Sequence, residues 1–152
     1  MNTHYINKKL AHLFGYAGLI PFILLTLACW LVHPDWLGDF IKGQLAYGIV
    51  ILSFLGGMHW GATMLTNGLS NRQTWYTLGW SVTPPLLGWF ATMVGGFGFA
   101  VLMAGFIGAY QIDKRLFAWY GMPAWLIELR FRLTSVIVPM LALTVIAANV
   151  RG

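Results

Sequence analysis

Five stretches of this chain are long and apolar enough to cross a membrane, and nearly all the Lys, Arg, Asp and Glu residues lie between them. The stretches are residues 13–32, 45–66, 75–94, 97–112 and 134–150. A helix needs about 20 apolar residues to traverse a hydrocarbon core roughly 30 Å thick. Lipid offers no partner to a backbone N–H or C=O, so each stretch must close its hydrogen bonds internally, as a helix. The expected fold is all-α: a polytopic membrane helical bundle of five transmembrane helices, one domain over residues 1–152. Charged residues are 9% of the chain, against roughly 25% in soluble domains. That is too few to cover a water-facing surface.

Prolines and glycines punctuate the pattern. The first stretch contains Pro21 and stops at His33-Pro34-Asp35, where a proline and a charge end a helix. Asp35, Asp39 and Lys42 then read as a polar loop. The second stretch ends at Asn67-Gly68, a C-cap signal. Pro84-Pro85 breaks the third near its middle, and Gly95-Gly96 makes a tight turn into the fourth, which closes at Asp113-Lys114-Arg115. Residues 116–133 mix aromatic, basic and acidic side chains and read as an interfacial segment at the headgroup level. The basic Lys8-Lys9 pair precedes an apolar run too long for a signal peptide, so the first stretch is read as an uncleaved anchor. Thr26-Leu27-Ala28-Cys29 only loosely resembles a lipoprotein cleavage box. Ile20–Thr26 and Val138–Thr144 share a proline, a leucine and a threonine at equal offsets, a match two apolar helices reach by chance.

Charge orients the chain. Lys8, Lys9, Arg72, Lys114, Arg115, Arg130 and Arg132 fall on one side of a five-span topology, and Lys42 and Arg151 on the other. Basic residues mark the cytoplasmic face. The expected N-terminus is cytoplasmic, the C-terminus periplasmic, and the compartment the cell inner membrane. A four-span arrangement with one re-entrant run is the alternative and moves the C-terminus. The net charge of +5 is distributed at helix ends rather than as a patch, which argues against nucleic acid. One cysteine, Cys29, excludes an intrachain disulfide and a Cys-rich metal site.

Helices in lipid associate through close approach of small residues. Ser53, Gly57 and Gly61 form one candidate ridge; Ala100, Ala104 and Gly108 form another. Pro84 and Pro85 lack N–H groups, so the carbonyls of Trp80 and Ser81 lose their helical donors. His59 lies roughly 10 Å deep and Trp80 and Ser81 roughly 8–9 Å, by a 1.5 Å rise per residue. Two readings of His59 stand side by side. In one it donates to a freed carbonyl, to Ser81 or to Thr83, and ties two helices together. In the other it lines a polar pocket with Trp60, Thr63, Trp80, Ser81 and Thr83, since an intramembrane ionisable residue is a functional candidate. Such a pocket suits a quinone or a lipid headgroup. Haem is disfavoured because His12 lies too shallow to be a second axial ligand, and no cluster of metal ligands is visible. Asp113 reads as a solvated helix end or as a partner of Arg130 that docks the interfacial segment. No nucleophile–base pair, phosphate loop or carboxylate pair is present, so no catalytic residues, cofactor or metal are predicted.

The run Tyr47–Gly61, with Phe54-Leu55-Gly56-Gly57-Met58-His59-Trp60-Gly61 as its specific part, resembles the signature of the transmembrane-protein-69-like family. Ser81-Val82-Thr83-Pro84, Gly105-Phe106 with Asp113, Pro123-Ala124-Trp125, Leu129-Arg130 and Leu133-Thr134 extend the resemblance over nearly the whole chain. The resemblance implies a small multi-span membrane protein, in bacteria of the inner membrane, and carries over no catalytic residues. Two functions are therefore weighed. One is a non-enzymatic subunit accessory to a larger membrane complex or forming a homo-oligomer. The other is a binder or carrier of a small amphiphile at His59.

Overall fold

The structure, a computed structural model, describes residues 7–152. In chain order these form α1 (Lys8–Ala17), α2 (Ile20–Leu31), α3 (Pro34–Leu65), α4 (Asn71–Ala91), a 3-10 turn (Gly95–Phe97), α5 (Gly98–Tyr120) and α6 (Ala124–Arg151). No strand occurs among the described residues. The chain is an all-α membrane protein. Among the described residues four segments have both the length and the composition to cross a bilayer: Lys8–Leu31, Pro34–Leu65, Gly95–Tyr120 and Ala124–Arg151. The 21 residues of α4 reach about 31 Å at 1.5 Å per residue, so α4 has the length, with a more polar composition.

Three boundaries differ from those read in the sequence. Residues 34–44 are not a loop but the first turns of α3. Pro34 occupies the first helical position, where its missing N–H costs nothing. His33 Nδ1 accepts from the Asp35 N–H at 3.2 Å. Leu37 and Gln44 are buried and Phe40 and Ile41 half-buried, while Asp35, Asp39 and Lys42 face out. That is an amphipathic face rather than a polar linker. The fourth span does not stop at residue 112 but runs through Asp113 to Tyr120. It ends at Gly121, a left-handed C-cap with φ +70°. Residues 116–133 are accordingly not one interfacial segment. They are the end of α5, a short turn, and the start of α6 behind Pro123. Leu116, Phe117 and Tyr120, and then Leu126, Leu129 and Arg130, are buried at helical spacing, so these helices bury a face in protein. The Pro84-Pro85 pair does not break α4, which is continuous across it.

The described chain folds as two units, residues 7–44 with Met122–Gly152, and Leu45–Gly121. In the first, α2 packs on α6. Cys29, Leu37 and Ala147 form a buried cluster covered by Trp30, Phe40 and Ile41. Gln44, fully buried, ties three helices together. Its Nε2 donates to Thr26 Oγ1 at 2.8 Å, and Thr144 Oγ1 donates to its Oε1. Thr26 Oγ1 in turn donates to the Met140 carbonyl at 3.2 Å. The equal offsets of Pro21/Thr26 and Pro139/Thr144 are thus structural: the two threonines meet, 3.3 Å apart, at one glutamine. Arg151 donates to the carbonyls of Cys29 and Val32 at the end of α2, groups that a helix leaves unpaired.

The second unit holds residues 45–65 of α3, together with α4 and α5. Its tightest approach is at Gly56. A methyl group there would lie 2.4 Å from the Ser81 carbonyl oxygen and 3.0 Å from Pro85 Cδ. This is the carbonyl that Pro85 deprives of a helical donor, and only a glycine lets the neighbouring backbone come this near. Gly88 similarly receives Ile49, and Gly105 receives Leu52. The ridges read from the sequence do not make these contacts. Gly57 and Gly61 are exposed, Ala100 and Ala104 are exposed, Ser53 is half-buried, and methyl groups at Gly57, Gly61 or Gly108 would meet nothing within 4 Å. The inward face of α3 lies one residue, about 100°, from the predicted one, and carries Leu52, Gly56 and His59.

Candidate functional site

Three helices of the Leu45–Gly121 unit bring polar side chains together. From α3, the inward face presents His59, 1% exposed. From α5, Asp113, Phe117 and Tyr120 form one stripe at i, i+4 and i+7. Asp113 is 2% and Tyr120 7% exposed. From α4 comes Trp80. His59 Nε2 lies 2.5 Å from Asp113 Oδ1, and His59 Nδ1 lies 2.8 Å from the Tyr120 hydroxyl. Trp80 Nε1–H donates to the same Asp113 oxygen at 3.3 Å. An ionised carboxylate only accepts, and an indole only donates. With Asp113 ionised, His59 Nε2–H donates to it and Nδ1 accepts the Tyr120 hydroxyl proton, a tautomer assigned from the network. The imidazole stacks at a tilt on Phe117, ring centroids 5.6 Å apart. The result is a short hydrogen-bonded cluster with both ring nitrogens of His59 engaged.

This arrangement differs from both readings of His59. Its partners are Asp113 and Tyr120, not a carbonyl freed by proline, Ser81 or Thr83. Ser81 is buried and donates to the Leu78 carbonyl at 2.6 Å. Thr63 donates to the His59 carbonyl at 2.7 Å, and Thr83 to the Gly79 carbonyl at 2.9 Å. Trp80 also lines an open groove of about 620 Å³ between α4 and α5, whose lining does not include His59. Trp75, Tyr76, Gly79, Trp80 and Thr83 form one wall; Ile112, Arg115, Leu116 and Trp119 form the other. Of the six expected pocket residues, Trp80 and Thr83 line this groove. Trp60, half exposed, lines an adjoining hollow with Asn71, Thr74, Trp75, Leu78 and Gly79. Asp113 is not a solvated helix end, and Arg130 is itself 4% exposed.

Trp80 joins the two features. Its indole forms part of the groove wall while its N–H is held by Asp113, which His59 holds in turn. Sequence reasoning missed Tyr120, Arg115 and Trp119 because it ended the fourth helix at residue 112. Had the 3.6-residue period been carried on, Asp113/Phe117/Tyr120 and Ile112/Arg115/Leu116/Trp119 would have emerged as adjacent stripes. Among the described residues no group of three or more His, Cys, Asp or Glu side chains is placed to hold a metal ion.

Comparison with known proteins adds the following. A family model described as "Protein of unknown function (DUF3429)" matches residues 7–146. Transmembrane protein 69 of Xenopus tropicalis is 36% identical over 139 residues, covering 90% of this chain and 53% of that protein. Transmembrane protein 69 of Mus musculus is 28% identical over 135 residues, covering 88% of this chain and 54% of that protein. The chain therefore spans about half the length of the curated relatives it matches. No solved structure matches it.

Proposed function

The chain belongs to the family described as a protein of unknown function (DUF3429), and on that premise we propose that it is a multi-pass membrane protein that binds one small amphiphile, a lipid or quinone, in the groove between α4 and α5. The observation that supports this reading is the groove itself. At about 620 Å³ it falls within the roughly 300–1,000 Å³ typical of small-molecule sites. Its walls are aromatic and aliphatic, with few polar groups, and it is built from two helices rather than loops.

In this reading His59 does not touch the ligand. It positions Asp113, and Asp113 fixes the Trp80 indole, so the groove keeps its shape without a ligand inside it. A preformed site avoids the ordering cost that a collapsible one incurs on binding. The compartment proposed is the cell inner membrane, with the face bearing Arg72, Lys114 and Arg115 cytoplasmic. The test is photolabelling with a diazirine-bearing lipid in defined vesicles. Labelling within residues 75–83 and 112–119 that excess unlabelled lipid abolishes supports a binding site. Labelling there that no excess of lipid reduces is contact with bulk bilayer and overturns it.

A second reading, a non-enzymatic subunit of a larger membrane assembly or homo-oligomer, draws support from the outward ridge of Ser53, Gly57 and Gly61 on α3. Such a ridge suits close helix approach. Crosslinking in native membranes tests it, and a product that is monomeric throughout refutes it.

A further inference from the structure

We propose that the occupant of the α4–α5 groove is an anionic phospholipid, its phosphate held by Arg115 and Arg72 and its acyl chain lying along the groove past Gly79. This rests on the amphiphile reading above and names the ligand class. Arg115 lines the groove directly. Arg72 stacks over the Tyr76 ring, 5.8 Å from its centroid, and lines the adjoining hollow with Trp75 and Tyr76. Tyr76 in turn faces Trp119 across the groove, ring centroids 6.4 Å apart. Arg72 thus stands at the Tyr76/Trp119 end of the groove, and Arg115, one helical turn before Trp119, lines the groove itself.

Charge complementarity selects the headgroup. Helix α4 contains no acidic residue, and no Asp or Glu lines either cavity among the described residues. The acid of α5, Asp113, is buried and bonded to His59 and Trp80. The fork of a guanidinium matches two phosphate oxygens, a geometry that ammonium groups lack. A neutral quinone head gives two arginines nothing to neutralise. A choline or ethanolamine headgroup brings its own cation into their field.

The rest of the groove suits an acyl chain. Trp75 and Trp119 sit at the Arg72 end, as aromatic residues do at headgroup level. Beyond them the wall drops at Gly79, where a methyl group would meet nothing within 4 Å. The groove then runs on between Thr83 and Ile112.

The experiment exchanges the purified 152-residue chain into micelles containing equimolar phosphatidylglycerol and phosphatidylcholine with identical acyl chains. After washing, retained lipid is extracted and quantified. One good charge-assisted contact favours phosphatidylglycerol by roughly tenfold. Arg115→Gln with Arg72→Gln should bring the ratio near parity while lipid is still retained. Gly79→Leu, whose Cβ meets nothing within 4 Å and whose side chain extends into the groove, should retain neither lipid. Tenfold enrichment that survives in the double arginine variant overturns the proposal. Parity in the wild type, with lipid retained and then lost in Gly79→Leu, overturns the headgroup assignment and leaves the groove reading standing. A wild type that retains no lipid at all overturns both.

Discussion

Two adjacent glycines, Gly56 and Gly57, should respond to alanine with opposite signs. At Gly56 the new methyl would lie 2.4 Å from the Ser81 carbonyl oxygen and 3.3 Å from Pro84 Cδ. To reach ordinary contact the helices must separate by roughly 0.6–1 Å, in an interior that packs like a solid. The atom struck is backbone, buttressed by two proline rings, so no side chain can swing aside. Overpacking of this kind costs about 1–3 kcal/mol, and a rigid obstacle puts it toward the upper end. Alanine returns about 1 kcal/mol of helix propensity, which leaves a net loss of about 1–2 kcal/mol. At roughly 2–4 °C per kcal/mol for a chain of this size, Gly56→Ala should melt several degrees lower. At Gly57 nothing lies within 4 Å. Only the propensity remains, and Gly57→Ala should melt up to a few degrees higher. Tryptophan fluorescence of the two variants and wild type, heated in the same detergent, is sufficient. Equal shifts for both, or a Gly56→Ala protein as stable as wild type, would refute the packing of α3 against the Pro84-Pro85 turn.

Other perturbations test the buried polar clusters. His59→Ala removes the imidazole donor from buried Asp113 and should cost about 3–5 kcal/mol, measured by denaturant titration in micelles. Tyr120→Phe removes the neutral hydrogen bond to His59, which should cost about 0.5–1.5 kcal/mol; a loss as large as that of His59→Ala would make the tyrosine, not the aspartate, the principal partner. Gln44→Ala strips Thr26 and Thr144 of their shared partner and leaves a void, for about 2–4 kcal/mol. A neutral result in the same titration would mean that the glutamine does not join α2, α3 and α6.

Much of this fold is legible in the residues, and the losses have identifiable causes. The apolar runs announce helices because lipid leaves them no other option. Gly68 and Gly95, with φ +87° and +58°, turn the chain where their positions suggest. His59 stands out as an ionisable residue in an apolar run, and its face, with Gly56 and Thr63, follows from the helical period. The helix phase is less accessible. Gly56 and Gly57 are chemically identical, so the pattern of small residues cannot say which is turned inward, and the Ser53/Gly57/Gly61 ridge is regular yet exposed. Charges mislead in two places. Asp35, Asp39 and Lys42 look like a loop because their apolar partners Leu37, Phe40 and Ile41 are interleaved with them. Asp113 looks like a stop because Lys114 and Arg115 follow it, whereas its pairing with His59 lets α5 continue and brings Tyr120 and Trp119 to the site. The Pro21/Thr26 and Pro139/Thr144 offsets gain their meaning only from Gln44, which lies in neither repeat.

The most direct test of the central claim is the intact mass of the protein sprayed gently from detergent, wild type beside Gly79→Leu. A lipid seated between α4 and α5 predicts a one-to-one amphiphile adduct on the wild type that is absent from Gly79→Leu, with both proteins folded by far-UV circular dichroism. The same adduct on both proteins, or on neither, would contradict it.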